Sequence, residues 1–408
     1  MTAHAFDTAP AGAACPFMPV FGPPQVMFVR GDGTELWDVD GKRYLDFLCG
    51  LAVTSLGHSN PVITQAIATQ AGRLLHVSNF FTNDAATAAA ISLRELLFET
   101  TGQQGQVFFC NSGAEANEAA LKLARKFGGR GRHVVVSAYG SFHGRTLAAL
   151  AATGQPAKHE PFFPMPDGFR HVAFGDLAAL EASIDPSVSA VLIETVQGEG
   201  GVVPADAEYL RGIRALCDER GMLMMVDEVQ TGFARTGRWF GFEHAGVVPD
   251  VVTMAKAMGN GFPVGAVWAR NEVAAAFVPG DHGSTYSGTA IATAVVSAVI
   301  GEMRRIDAPA LAAERGAYLR DRLAAIPGVR SVRGQGLLLA AELGESGDAK
   351  AVYTELLARG LVTNAVTATA LRLAPPITVS EAEIDEAVAL IAEVVAAHTA
   401  GTNDGATS

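Results

Sequence analysis

Three places along the chain hold residues whose types and spacing could do chemistry. In NSGAEANEAALKLARKFG, the small residues Ser112, Gly113 and Ala114 precede Ala116, Ala120, Leu123 and Phe127, which recur at helical spacing. A tight turn at a helix start leaves amides without intrahelical acceptors beside the positive end of the helix dipole, a place suited to a phosphate. Taken alone, the same stretch reads equally well as an ordinary glycine-containing loop. In MLMMVDEVQTG, Asp227 ends an apolar strand, and open α/β sheets bind their ligands at the carboxyl ends of strands. A carboxylate buried there needs a cationic partner. A protonated ring nitrogen such as a pyridinium would serve, through a charge-assisted hydrogen bond worth about 1.5 to 3 kcal/mol. Capping of the following helix by Asp227 or Glu228 is the plainer alternative. The next apolar strand, VVTMA, runs directly into Lys256 and the flexible stretch AMGNGFPVG. Most lysines are solvated surface residues, but one at that strand end can be desolvated until its pKa falls and it forms a Schiff base. The phosphate turn, the acid and the amine support one another.

The elements that must position these residues follow from the hydrophobic pattern. Short unbroken apolar strands, HVVVSA, AVLIET, MLMMVDEV and VVTMA, alternate with helical stretches between Asn60 and Gly301. Strands apolar on both faces imply a mostly parallel sheet covered by helices on each side, an α/β class of fold. Ahead of this, LWDVDGKRYLDF gives two alternating stretches around Asp40-Gly41, a hairpin pattern. Beyond it, GAYLRDRLAAI reads as a helix, SVRGQGLLLAAEL and ALRLAP as strands, and Ser380 to His398 as a closing helix that opens on a Ser380–Glu383 capping box. The expected organisation is an N-terminal arm and small-domain segment at 1–60, a large domain at 61–305, a C-terminal small domain at 306–400 and a disordered polar tail at 401–408.

Bulk properties narrow the partners. With a formal net charge of −12, the chain lacks the cationic excess that nucleic acid or an anionic membrane surface would require. Small molecules and other copies of the chain are the expected partners. Cys15, Cys49, Cys110 and Cys217 show no CxxC pairing, so neither a zinc site nor a disulfide framework is expected and no metal is assigned. The first residues lack a basic segment followed by an apolar one, and no apolar run approaches the ~18 residues needed to span a bilayer. A cytoplasmic location is expected.

At this point the residues resemble the class-III, or ω-amino-acid, aminotransferases, and most of all their acetylornithine branch. The resemblance rests on RGDGTELWDVDGKRYLDFLCGLAVTSLGHSNP, NSGAEANEAALK, SFHGRTLAAL, ETVQGEGG, DEVQTGFARTG, AKAMGNGFPVGA, HGSTYSGTA and LRLAPP, which cover nearly the whole chain. It implies the aspartate-aminotransferase-like fold, also called PLP fold type I, with pyridoxal 5′-phosphate (PLP) as cofactor and an amine donor and a 2-oxo acid as substrates. Transferred residue by residue, it implies that Ser112, Gly113 and Ala114 hold the phosphate. Phe142 and Val229 would flank the ring, Gln230 would bond its hydroxyl, Asp227 would face its nitrogen, and Lys256 would carry the cofactor and act as base. Thr285 would reach the phosphate of a neighbouring subunit in a homodimer with shared active sites, and Ser284 would lie by the substrate. Arg145 would hold the carboxylate distant from the reacting carbon and Arg372 the one beside it, with Glu199 covering Arg372 for a donor that brings no such carboxylate and swinging away for 2-oxoglutarate.

The expected activity is transfer between N2-acetylornithine and 2-oxoglutarate, as in arginine biosynthesis. Ornithine, 4-aminobutyrate, putrescine and succinyldiaminopimelate are the alternative amines. Phe21, where the family often has Tyr, and Ser287 and Thr289 in HGSTYSGTA depart from the pattern and bear on the substrate. No role beyond packing or a hydrogen bond is assigned to His58 or His143. A silent PLP-binding module is the non-enzyme alternative, which the presence of Lys256 disfavours. A nicotinamide dehydrogenase would need a GxGxxG opening that the sequence lacks.

Overall fold

The computed structural model describes residues 17–344 and 347–403. The strands Glu35–Asp38 and Arg43–Asp46 pair antiparallel with Trp37 opposite Arg43, and Gly41 turns the chain at φ +80°. A side chain would be strained in that left-handed backbone. Phe28–Asp32 adds on one side of this hairpin, and Leu361–Val362, from far along the chain, adds in parallel on the other.

The central sheet has seven strands in the order Gly105–Cys110, Gly265–Arg270, Val251–Met254, Leu223–Asp227, Val188–Glu194, Val134–Ala138, Phe169–Val172. Gly265–Arg270 runs antiparallel to both neighbours, and every other pairing is parallel. This is the mostly parallel sheet expected of fold type I. Its apolar strands feed two cores. Met224 and Val226 join the cluster on one face, while Leu223 and Met225 join the cluster on the other, because side chains alternate along a strand. Burial on both faces explains why the sequence shows continuous apolar runs and no alternation. In register, Asp227 lies beside Glu194 and Thr253, so the carboxyl ends of three adjacent strands are level where Lys256 follows.

After the helix Ala308–Ala324, a second antiparallel sheet sets Ala370–Leu373, which bears Arg372, between Leu338–Leu343 and Asn364–Ala365, with Val329–Gln335 outermost. Ser380 and Glu383 form the reciprocal capping box, the Ser380 amide donating at 2.7 Å and the Glu383 amide at 3.2 Å. One expectation needs correction. The closing helix spans Glu381–Asn403 and does not stop at His398, since no proline interrupts the stretch; residues 401–403 of the expected tail are therefore helical, and 404–408 lie outside the described residues, as do 1–16 of the arm. Phe127, near the end of the helix Gly113–Gly128, stands 37% exposed. Among the described residues, no helix is long and apolar enough to cross a membrane.

Candidate active site

Ser112 caps the helix Gly113–Gly128, its hydroxyl accepting from the Glu115 amide at 3.2 Å. Glu115 in turn accepts from the Asn111 amide at 2.6 Å. The turn is thus fixed from both sides, and the amides of Gly113 and Ala114, in the first helical turn, have no intrahelical acceptor. Glycine is required here by contact, since a Cβ on Gly113 would sit 2.8 Å from Val229 Cγ1. The turn opens onto a cavity of about 390 Å3.

Asp227 ends its strand inside this cavity with its side chain 5% exposed. Its Oδ2 accepts from Asn117 Nδ2 and His143 Nδ1, each at 2.8 Å, and its Oδ1 accepts from the Val229 amide at 3.0 Å. Asn117 is itself oriented by the Thr253 hydroxyl, which donates to its Oδ1 at 2.8 Å. Burial presses the His143 imidazole downward, but the hydrogen bond and charge of Asp227 outweigh it and leave His143 above its ordinary value. The helix-capping alternative belongs to the next residue: Glu228 accepts from the amides of Gly241 and Phe242, each at 2.9 Å, at the start of the 3-10 helix Gly241–Ala245.

Lys256 leaves the strand Val251–Met254 with φ +47°, a left-handed backbone that a non-glycine residue rarely adopts. Its amine is held below the usual lysine range, first by burial, with Glu199 and Asp227 acting against that shift and Arg372 with it. Phe142, Val229 and Gln230 line the same cavity. Gln230 donates through Nε2 to Leu51 O at 3.4 Å, while its buried Oε1 has no partner among the described residues.

Arg372 is almost wholly buried and donates from Nη1 to Glu199 Oε1 at 2.6 Å and from Nε to Asn364 Oδ1 at 3.0 Å. Burial opposes the charge on Glu199, but Arg372 overcomes it and lowers that carboxyl. Arg145 is exposed at the cavity rim, with its guanidinium 5.5 Å from the Phe142 ring centroid. It pairs with no carboxylate among the described residues.

Ser284 and Thr285 are not brought into this cavity. The Ser284 hydroxyl accepts from Asn111 Nδ2 at 3.0 Å, one residue away from the phosphate turn, and Thr285 is exposed. Phe21 is 87% exposed. Ser287 is buried, and Thr289 precedes the helix Ala290–Arg305 as its N-cap residue. His58 bonds Asp46 Oδ2 at 2.8 Å through Nε2. The structure adds residues that sequence reasoning passed over. Glu194, at the end of the strand Val188–Glu194, could have been found by the rule that led to Asp227, whereas Asn117 lies within the helix Gly113–Gly128, where that rule does not reach. Lys158 carried no sequence mark, and Arg235, fully buried against Leu337 O, Pro375 O and Ser55 Oγ, stood in DEVQTGFARTG without a role assigned to it.

These residues fit a phosphorylated pyridine carbonyl cofactor. The free amides at Gly113 and Ala114 suit its phosphate, the orphaned Gln230 Oε1 can accept from a ring hydroxyl, Asp227 supplies the buried anion, and the Lys256 amine faces the same space. The comparisons agree. The family profile "Aminotransferase class-III" matches residues 19–395. The acetylornithine aminotransferase of Caldanaerobacter subterraneus subsp. tengcongensis is 43% identical over 379 residues, covering 91% of this chain and 94% of its own. The N-acetylornithine aminotransferase of Stenotrophomonas maltophilia K279a superposes with a TM-score of 0.81 at 34% identity, over 93% of this chain and 98% of its own. The ornithine aminotransferase of Toxoplasma gondii, with PLP at partial occupancy in its active site, superposes with a TM-score of 0.87 at 32% identity, over 94% and 93%. The chain belongs to the class-III aminotransferases, a family of PLP-dependent enzymes.

Proposed function

We propose that this aminotransferase moves the terminal amino group between N2-acetylornithine and 2-oxoglutarate, the exchange that arginine biosynthesis requires. The observation that carries this reading is the buried Arg372 closed by Glu199 at 2.6 Å, with Glu199, Lys256 and the carboxylate-free Arg145 lining one cavity. A donor reacting at a terminal carbon brings no carboxylate to that carbon. A desolvated guanidinium left alone there would cost several kcal/mol, and Glu199 removes that cost. When 2-oxoglutarate enters, its carboxylate beside the reacting carbon takes Arg372, and Glu199 gives way. In both complexes Arg145 holds the distant carboxylate. The acylated donor also suits the rim: Arg145 would repel the free α-ammonium of ornithine, whereas an acetamido group carries no charge.

Bound PLP supplies an electron sink for the pair left at the donor carbon. In this reading the chain does the rest. The amides of Gly113 and Ala114, with Ser112, hold the phosphate. Phe142 and Val229 fix the ring plane, Gln230 accepts from its hydroxyl, and Asp227 keeps its nitrogen protonated. Lys256, its amine held below the usual lysine range by burial, takes the proton from the donor carbon in its neutral form and delivers it on the other side of the transfer. We assign the working unit as a homodimer in the cytoplasm. Exposed Thr285 beside Tyr286, which is 60% exposed, and Phe80, which is 93% exposed, support a second copy on that face. The buried, unpaired Cys49, Cys110 and Cys217 support a reducing compartment.

The test is a single-turnover half-reaction without oxo acid, following loss of the bound cofactor's absorbance with N-acetylornithine, ornithine or 4-aminobutyrate. Fastest loss with N-acetylornithine is expected. A faster amine among the others would keep the aminotransferase and replace its substrate.

A further inference from the structure

Resting on the substrate reading above, Glu199 leaves Arg372 for one substrate and returns for the other, so something besides that ion pair must hold the turn that carries it. Glu199 stands in the turn 198–201, which leads from the strand Val196–Gln197 to its antiparallel partner Val203–Pro204. At its end Gly201 takes φ +113° and Val202 φ +56°. For a β-branched residue that left-handed backbone is an outlier, and it persists only where the surroundings over-determine it. The hydrogen bond that closes the turn, from the Val202 amide to Gly198 O, is long at 3.4 Å. The turn needs support from outside.

The second antiparallel sheet supplies it. Arg333, on Val329–Gln335, and Arg372, on Ala370–Leu373, both pair with Ala340 of the strand between them. Residues directly opposite across antiparallel strands share a face, so the two arginines stand in one row on one side of the sheet, about 10 Å apart. Both donate to the turn. Arg372 Nη1 reaches Gly198 O at 3.3 Å as well as Glu199, and Arg333 Nε reaches Gly201 O at 2.8 Å. Ala340 is fully buried between them and belongs to the same apolar cluster as Val202, which seats the turn on the sheet. The fit is close, since a Cβ on Gly201 would come 3.1 Å from Thr367 Cγ2 and 3.4 Å from Arg333 Nη2. Arg333 is itself fixed by Glu342, which accepts from its Nη1 at 2.6 Å. Its bond to the turn is to the main chain, so movement of the Glu199 side chain leaves that bond intact.

We propose that Arg333 is the fixed pin of this exchange: it holds the main chain of the turn while Glu199 moves, and so sets how firmly Glu199 covers Arg372 when no carboxylate lies there. It is a positioning residue, acting through Glu199. The test titrates PLP-saturated enzyme by calorimetry with two unreactive probes. N-acetylnorvaline carries the donor's acetamido and carboxylate groups, lacks the terminal amine, and needs Glu199 on Arg372. Glutarate presents both carboxylates of the oxo acid and needs Glu199 away. Arg333→Met should weaken N-acetylnorvaline roughly fivefold and leave glutarate unchanged or tighter, with Arg333→Lys recovering most of the loss. Glu342→Gln, which loosens Arg333 at nearly constant volume, should shift the ratio of the two affinities the same way by less. In a Glu199→Ala background the Arg333 replacement should have no further effect. Weaker glutarate, unchanged binding of both probes, or an N-acetylnorvaline loss that persists without Glu199 would overturn the proposal. If Glu199→Ala alone leaves the ratio at its wild-type value, the exchange at Arg372 fails, and the substrate reading falls together with this inference.

Discussion

His143 Nδ1 lies 2.8 Å from Asp227 Oδ2, and both side chains are buried, with 0% and 5% of their surfaces exposed. The pair places a proton donor behind the carboxylate assigned to the cofactor nitrogen. A hydrogen bond to a charged group contributes about 1.5 to 3 kcal/mol, and here it stabilises the anionic form of Asp227. His143→Asn should therefore lower kcat about 10- to 100-fold at saturating cofactor. The bound cofactor's absorbance should titrate at a different pH than in wild type, because the ring nitrogen is held protonated less firmly. A variant with wild-type kcat and titration would reduce His143 to packing.

The phosphate turn makes a different demand. A Cβ at position 113 would meet Val229 Cγ1 at 2.8 Å and Cγ2 at 2.9 Å, and Val229 is the residue assigned to one ring face. Gly113→Ala must push Val229 into the cavity or tilt the start of the helix, and either change separates the amides from the phosphate. The expected result is a PLP dissociation constant raised about tenfold or more with the melting temperature of the cofactor-free protein little changed. Fluorescence titration of cofactor-free protein measures the first and a thermal scan the second. An unchanged dissociation constant would count against the turn as the phosphate site.

How much of this was legible in the sequence depends on what each residue is set by. Asp227 and Lys256 could be placed because an apolar run buried on both faces must be a strand, and its last polar residue must lie at the sheet's carboxyl edge. Residues that depend on contacts between distant segments could not. His143 is paired with a carboxylate far along the chain, and Arg235 is buried by carbonyls at Leu337 and Pro375. The antiparallel strand Gly265–Arg270 was equally hidden, since an apolar pattern reports burial and carries no direction. Ser284 and Thr285 were found by resemblance alone. In a single chain they lie outside the cavity, and nothing in their spacing could have assigned them to it.

Glu194 ties stability to pH. Burial pushes its carboxyl up to about 7, with His143 acting against the shift and Asp227 adding to it. A carboxyl whose folded value is raised binds more protons in the folded than in the unfolded state between its ordinary value near 4.5 and about 7. Its contribution to stability is therefore fully present below that window and is lost as pH rises through it. Glu194→Gln keeps an acceptor for the Phe142 amide and removes the charge. The melting temperature of the variant relative to wild type should be higher at pH 8 than at pH 5, by an amount corresponding to roughly 3 kcal/mol at most. A difference independent of pH would mean that Glu194 titrates near its ordinary value in the folded protein.

Lys256 lines the cavity, while Thr285 is exposed and is not among the residues that line it. If each site combines Lys256 of one protomer with Thr285 of its partner, two differently damaged chains can repair one another. Lys256→Ala removes the base and the attachment point, and Thr285→Asp sets a negative charge where the partner's phosphate should bind. Each variant alone should be inactive. Mixed and allowed to exchange subunits, they form heterodimers in which one site has both defects and the other has neither. Activity should then appear on mixing, rise with the extent of exchange measured by native mass spectrometry, and reach a plateau below wild type. No recovery despite demonstrated exchange would place Thr285 outside the shared site and leave each protomer with a complete site of its own.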